Sequence, residues 1–313
     1  MEKIPVGISS CLLGERVRYD GAHKKNRYIT DTLGQYFSFE AFCPEVSIGL
    51  GIPRPTLRLV DDDGQLRCTG KDGEADDVAP LLASSATDRV DRFRKLCGYI
   101  VKKDSPSCGM ERVKVYRKGH PERRGVGRFT DALMRALPEL PVEEEGRLGD
   151  PVLRENFIQR VFVYARWQQL LAEGVDRRKL TTFHAQHKYI LLSHNQHRAR
   201  QLGALLGESP DTPVDELART YIHEVMAVLK IPASRANHVN VLQHIQGYLK
   251  RDLDSGDKQA LVDSIDQYRL GQLPLIVPVT LLRYFFQKYP NNYIDESFYL
   301  DPHPAELMLL NQI

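Results

Sequence analysis

The hydrophobic pattern changes period partway along the chain. From residue 1 to about 140, short apolar runs alternate with segments of helical spacing. Val6-Gly7-Ile8 predicts a first strand, and Ile29, Leu33 and Tyr36 then recur at helical intervals. Phe37, Phe39 and Phe42 mark a second strand that ends at Cys43. Thr56 to Arg67 predicts a hairpin turning at Asp63-Gly64, a pair that supplies the positive φ such turns need. Thr87 is placed to cap a helix carrying Val90, Phe93 and Leu96, and a strand over 98–101 follows. Val113-Lys114-Val115-Tyr116 alternates apolar and polar residues and suits a half-buried strand. This β-α-β rhythm predicts an α/β domain, a mostly parallel sheet with flanking helices.

Between Pro138 and Gly146 lie two prolines and an acidic run, read here as a seam that does not extend the sheet. Beyond it the spacing is helical throughout: Leu153, Phe157, Val161, Tyr164 and Leu171, then Leu242, Ile245 and Leu249, then an apolar stretch over 274–284. The expected organisation is therefore an α/β domain over 1–145 and an all-α domain over 146–313.

Hydrophobic residues make up 42% of the chain and charged residues 27%, the balance of a globular protein in water. No apolar run approaches the roughly 20 residues of a membrane helix, and the start MEKIPVGISS is too short for a secretory signal. Five cysteines, an odd number, argue against a disulfide framework and for a reducing, cytoplasmic setting. With a net charge of +2, any nucleic-acid surface has to be a local patch.

Three cysteines stand at strand ends. Cys11 follows the first strand, Cys43 ends the second, and Cys108 lies on the loop SPSCG after the third. Carboxyl ends of parallel strands share one edge, where ligands usually bind, so these thiols are candidates to converge. Cys68 belongs to the hairpin and Cys97 to a helix–strand junction, both ordinary places for a small buried residue. Three thiolates without an obvious fourth ligand suit an iron–sulfur cluster with one open iron, or zinc completed by water or histidine. Unrelated buried cysteines fit the spacing equally well.

SSCLLGERVRYDG (9–21), CPEVSIGLGIPRP (43–55) and KKDSPSCG (102–109), in that order, resemble the bacterial thiouracil desulfurase family. FHAQHKYILLSH (183–194) and NVLQHIQGYLK (240–250) resemble a YbgA-type domain, and proteins joining both halves resemble the RudS-type tRNA 4-thiouridine desulfidases. The resemblance implies a 4Fe–4S cluster held by Cys11, Cys43 and Cys108 with one iron open. It also implies non-redox desulfuration of 4-thiouridine in tRNA, giving uridine and sulfide. A soft iron suits a thiocarbonyl sulfur, and replacing C=S by C=O needs water but no electron donor. Glu45 is by resemblance the family's acid/base residue, and Ser105 the hydroxyl that orients water or relays a proton. Ser107 is expected to serve only the loop's own hydrogen bonds. Arg54 is a candidate to meet a base or phosphate, and the VRYDG turn (17–21) is either pocket lining or structure.

GVGRF (125–129) lacks the spacing and lysine of a phosphate loop. In the second half, residues 177–200 interleave basic residues and histidines, and Lys179, His187, Lys188, Arg198 and Arg200 are the expected tRNA contacts of one basic helix. Two other readings stay open: free thiouracil as the substrate, and a zinc-stabilised, non-catalytic RNA-binding adaptor.

Overall fold

The computed structural model describes residues 2–71, 76–208, 211–307 and 309–311, and the chain divides into two compact units, Met1–Asp150 and Pro151–Ile313. In the first unit, β1 (Ile4–Ser9) lies between β2 (Phe37–Phe42) and β5 (Tyr99–Val101), and β8 (Val142–Glu144) extends the sheet to the order β2-β1-β5-β8. Every pairing in it is parallel. Val6 and Ile8 are wholly buried, as the apolar pattern requires. Gly7 pairs with Tyr99, and a Cβ at Gly7 would sit 2.3 Å from the Tyr99 ring, so glycine alone lets that ring cross the strand.

The hairpin strands form a second sheet. β3 (Leu57–Asp62) and β4 (Gln65–Gly70) turn at Asp63 and Gly64, whose φ values of 47° and 92° are those the Asp-Gly pair predicts. β6 (Val113–Arg117) runs parallel to β3 and antiparallel to β7 (His120–Gly125), giving the order β4-β3-β6-β7. A one-turn helix α1 (Pro44–Ser47), α2 (Ala79–Thr87), α3 (Val90–Phe93) and α4 (Arg128–Ala136) complete the unit. Phe42, Phe93, Tyr99 and Phe129 pack ring against ring, with centroids 5.3 Å apart for Phe42–Phe129 and 5.8 Å for Phe93–Tyr99.

Two expectations fail here. Thr87 ends α2 rather than capping the next helix, because its hydroxyl donates back to the Ser84 carbonyl at 3.3 Å. The acidic seam does extend the sheet: Val142–Glu144 is β8, paired with β5. Proline is harmless at that strand's entrance, where the Pro141 carbonyl accepts Tyr99 N–H at 2.7 Å. The glutamates are answered locally, Glu143 by Arg147 at 2.6 Å and Glu144 by the Met110 N–H at 2.8 Å.

The described residues of the second unit contain helices and no strand: α5 (Pro151–Ala172), α6 (Arg177–His194), α7 (Gln196–Gly207), α8 (Val214–Leu229), α9 (Arg235–Gln246), α10 (Ser255–Arg269), α11 (Ile276–Lys288) and the single turn α12 (Asn292–Asp295). Phe157, Val161 and Tyr164 are buried as their spacing predicts, whereas Leu171, at the end of α5, is exposed. No helix among the described residues is long and apolar enough to cross a membrane.

Three histidines are built into this helical core. His187 stacks on Phe183 at 4.0 Å, the His194 ring nitrogens meet the Ile231 carbonyl and Gln159, and His238 meets the Tyr299 hydroxyl at 2.8 Å. Burial pushes His187 and His238 down to about 3 and His194 down to about 4. A depressed histidine pKa means the unfolded chain binds more protons below about pH 6.5, so stability is full above that pH and falls as pH drops. Each fully buried histidine then costs up to about 2 kcal/mol at roughly pH 5. Trp167, the single tryptophan, is buried against Phe183 and reports on this unit. Its fluorescence-detected urea midpoint should fall steeply between about pH 7 and pH 5. A midpoint independent of pH would contradict the burial of these rings.

Candidate functional site

The site lies at the carboxyl edge of the parallel sheet. Cys11 sits in the 3-10 turn Ser10–Leu12 directly after β1. Cys43 follows β2 and precedes α1, whose first residue, Pro44, needs no hydrogen-bond acceptor. Cys108 lies on the loop after β5. Since β2, β1 and β5 are neighbours, the three thiols reach one place, and all line a cavity of about 360 Å³ together with Arg18, Glu45, Arg54, Lys102 and Ser105.

Cys68 and Cys97 are elsewhere. Cys68 packs with Leu59 and Val115 in the second sheet, and Cys97 donates its N–H to the Pro5 carbonyl. Burial pushes both thiols up to about 12. In the cavity, burial raises Cys11 to about 11, with a further rise from Cys43, while Lys102 and Arg18 pull it down. Cys108 is raised well above its ordinary value by burial first, then by Glu45 and Cys43. The cavity thiols thus oppose one another's ionisation, whereas nothing but burial acts on Cys97.

The Cys108 loop is seated on the start of α4. Gly127 N–H donates to the Gly109 carbonyl at 2.7 Å, Arg128 N–H to Pro106 and Phe129 N–H to Ser107, both at 3.0 Å. These carbonyls satisfy helix N–H groups that have no partner within the helix. Thr130 adds its hydroxyl to the Cys108 carbonyl at 2.6 Å. A Cβ on Gly127 would lie 2.6–2.7 Å from the backbone of Ser107, Cys108 and Gly109, so the second glycine of GVGRF is required by contact with this loop, while the first, Gly125, is crowded by Val115 and Leu59 of the second sheet.

Glu45 is held from two sides. Arg54 donates Nε to its Oε2 at 2.7 Å, and the Ser107 hydroxyl donates to Oε1 at 2.8 Å. Ser107, expected to serve only its own loop, is buried and reaches Glu45, while the Ser105 oxygen accepts the N–H groups of Ser107 and Cys108 at 3.2 and 3.1 Å. Ser105 nonetheless lines the cavity, and those two bonds do not use its hydroxyl hydrogen. Arg54 lines the cavity and clamps Glu45 there, since it also donates to the Val17 carbonyl at 2.8 Å and its side chain is almost wholly buried. Val17, Arg18 and Tyr19 of the VRYDG turn line the cavity.

The missed contributors come from β8 and its exit. Glu144 accepts the N–H of Met110 just beyond the Cys108 loop, and Glu145 pairs with the Lys102 ammonium while accepting Lys103 N–H at 2.6 Å. A three-residue strand of mostly glutamates carries almost no periodic signal, which is why the sequence does not reveal this bracing.

The basic run of the second unit is two helices, α6 and α7, divided at Asn195, whose side chain caps α7 through Arg198 N–H. Of the expected contacts, Lys188 and Arg200 are exposed. Lys179 places its ammonium on the carbonyls of Glu173 and Gly174, and Arg198 pairs with Glu224 at 2.7 Å. His187 is 1% exposed and leaves the set, because a ring stacked inside the core cannot meet RNA.

Residues 6–145 match the family model of 2-thiouracil desulfurases, and residues 188–304 match a model described as a protein of unknown function, DUF1722. The chain is 30% identical to the uncharacterized protein YbgA of Escherichia coli (strain K12) over 156 residues, 50% of this chain and 92% of that protein. It is 30% identical to the uncharacterized protein YbbK of Bacillus subtilis (strain 168) over 108 residues, 33% of this chain and 71% of that protein. Among solved structures, the 4Fe–4S-dependent thiouracil desulfidase TudS is 31% identical, with a TM-score of 0.37 over 48% of this chain and 95% of that one.

The contact between Gly127 and the loop predicts that Gly127→Ala lowers unfolding free energy by about 1–3 kcal/mol, the cost of overpacking against backbone. Gly149→Ala, where a Cβ meets nothing within 4 Å, should be near neutral. Denaturant midpoints of the two variants check this, and equal midpoints would show that the loop does not depend on the close approach.

Proposed function

Because the chain belongs to the 2-thiouracil desulfurase family over its first unit and to the YbgA family over its second, we propose that it removes sulfur from a thiolated uracil carried in tRNA, 4-thiouridine. The observation that carries the chemistry is the meeting of Cys11, Cys43 and Cys108 with Glu45 in one cavity. The donor set fits an iron–sulfur cluster. Three thiols, two buried and one half-buried, that oppose one another's ionisation are relieved when iron takes the place of their protons. They share one cavity, and three thiolates without a fourth protein ligand are the donor set of a cluster with one open iron. Cys11, Cys43 and Cys108 would hold the cluster, and it would supply a soft Lewis acid for the thiocarbonyl sulfur.

The chain's own residues handle water and protons. Water supplies the oxygen that replaces sulfur on the ring carbon, and sulfur leaves at the oxidation level of sulfide, so no reductant enters. Glu45, fixed by Arg54 and Ser107, is the proton acceptor, and Ser105 has a hydroxyl hydrogen to offer in the cavity. Lys102, with Arg18 on the cavity wall, sets a positive field against the sulfide charge.

A base stacked within folded RNA has to be gripped and exposed before a small cavity can act on it, and the helical unit offers Arg178, Lys188 and Arg200 at its surface. These cations support tRNA over the free base as substrate. Anaerobic incubation with 4-thiouridine tRNA and with 2-thiouracil, followed by nucleoside and base analysis, decides between them. Uridine formation in tRNA is expected, and conversion of the free base alone would overturn the tRNA reading.

Serine at Cys11, Cys43 or Cys108 should each abolish full iron loading after anaerobic reconstitution, while serine at Cys68 or Cys97 leaves it intact. Full iron content in Cys108→Ser would remove that residue from the ligand set. Glu45→Gln should keep the iron and lose turnover by about 10²–10⁴-fold; an unchanged rate would move the proton transfer elsewhere. Arg178→Glu with Arg200→Glu should weaken tRNA binding and lower its salt slope by roughly one unit per lost phosphate contact. Iron loading and any turnover of free thiouracil should stay as in the unaltered chain. Normal tRNA affinity in this variant would place the RNA on another face.

A further inference from the structure

We infer that Tyr248 and Tyr293, with Lys188 beside them, form a stacking site for an unpaired RNA nucleotide on the helical unit, an inference that rests on the tRNA reading above. Tyr248 lies in the 3-10 turn Gly247–Leu249 directly after α9 and is 40% exposed. Tyr293, on α12, stacks against it with the ring planes 25° apart and the centroids 5.8 Å apart. Buried Tyr189 on α6 meets the Tyr293 ring edge-on at 6.2 Å and donates its hydroxyl to the Tyr248 oxygen at 3.3 Å. The pair is therefore braced from beneath, while the Tyr248 ring remains open to water.

The charge beside it has the right sign. The Lys188 ammonium lies 5.8 Å from the Tyr189 ring centroid and 6.0 Å from that of Tyr293, and it forms no ion pair among the described residues. Lys250 and Arg251, both exposed, follow the same turn. Apolar packing accounts for a buried tyrosine, but it does not account for stacked rings held at the surface beside a lysine with no carboxylate. A nucleotide supplies both missing partners: a planar base for the ring face and a phosphate for the ammonium. A paired duplex offers no free base face, so the site selects unpaired segments.

Tyr248→Leu keeps apolar bulk and removes the ring, Tyr248→Phe keeps the ring and removes the hydroxyl, and Lys188→Gln removes the charge. Each is assayed by binding to 4-thiouridine tRNA, to a single-stranded oligouridylate and to a fully paired RNA duplex, with Trp167 fluorescence as the folding control. Tyr248→Leu should weaken tRNA and oligouridylate binding by about 5- to 150-fold with an unchanged salt slope, and leave duplex binding alone. Tyr248→Phe should bind like the unaltered chain, and Lys188→Gln should lower the salt slope by about one unit. If tRNA binds and Tyr248→Leu binds it equally well, the stacking site is wrong and the tRNA reading stands. If Tyr248→Phe loses as much as Tyr248→Leu, the hydroxyl contact to Tyr189 matters rather than stacking, which also overturns the site. If the unaltered chain converts free thiouracil but binds no tRNA, the substrate reading falls and the site with it.

Discussion

Parallel pairing of β1 with β2 on one side and β5 on the other is the constraint on which the catalytic unit depends. Parallel strands finish at the same edge of a sheet, so residues that follow each of them arrive together although they are far apart in sequence. An antiparallel neighbour would send one thiol to the opposite edge. The Gly7–Tyr99 crossing holds that pairing in register, since any side chain at Gly7 would meet the ring. Tyr99 in turn joins Phe93 and Phe129 in the aromatic cluster that ties α3 and α4 to the strands.

The edge alone would give three cysteines on loose loops. Each loop is instead anchored to something stiffer: Cys11 by a 3-10 turn, Cys43 by the helical turn it precedes, and Cys108 by the first N–H groups of α4 and by β8. Helix N-termini often bind anions, but here the donors are taken by the carbonyls of Pro106 and Ser107, so α4 supports the site without facing its chemistry. Charges around the cavity are also organised in pairs. Arg54 holds Glu45, and Glu145 holds Lys102, so a carboxylate and an ammonium each reach the cavity in a fixed position. Pre-positioned charge of this kind needs no reorganisation during reaction.

The helical unit places its polar residues by the opposite logic. Four of its eight histidines are spent on the core, where a neighbouring carbonyl or hydroxyl meets one ring nitrogen of each, and its exposed cations and tyrosines form the surface that remains for a partner. Interleaved basic and histidine residues along α6 thus separate into two populations. The divide between His187 and Lys188 falls between adjacent residues, because consecutive positions on a helix point about 100° apart.

Much was legible from the sequence alone. Apolar periodicity predicts β1, β2, the β3–β4 hairpin and the helical second half, because burial on one face forces period two on strands and near 3.6 on helices. The position of three cysteines just past strands is likewise a local fact, and their convergence follows once the strands are parallel. Which serine touches Glu45, that Arg54 clamps it, and that β8 braces the Cys108 loop were decided only by tertiary structure. Ser105 and Ser107 are chemically identical and two residues apart, so their roles depend on which way a tight turn points each hydroxyl. Glu143 to Glu145 look like a solvated linker until Arg147, Lys102 and the Met110 N–H arrive from other parts of the chain to neutralise them. Periodicity records which face is buried; it holds no information about partners brought from a distance.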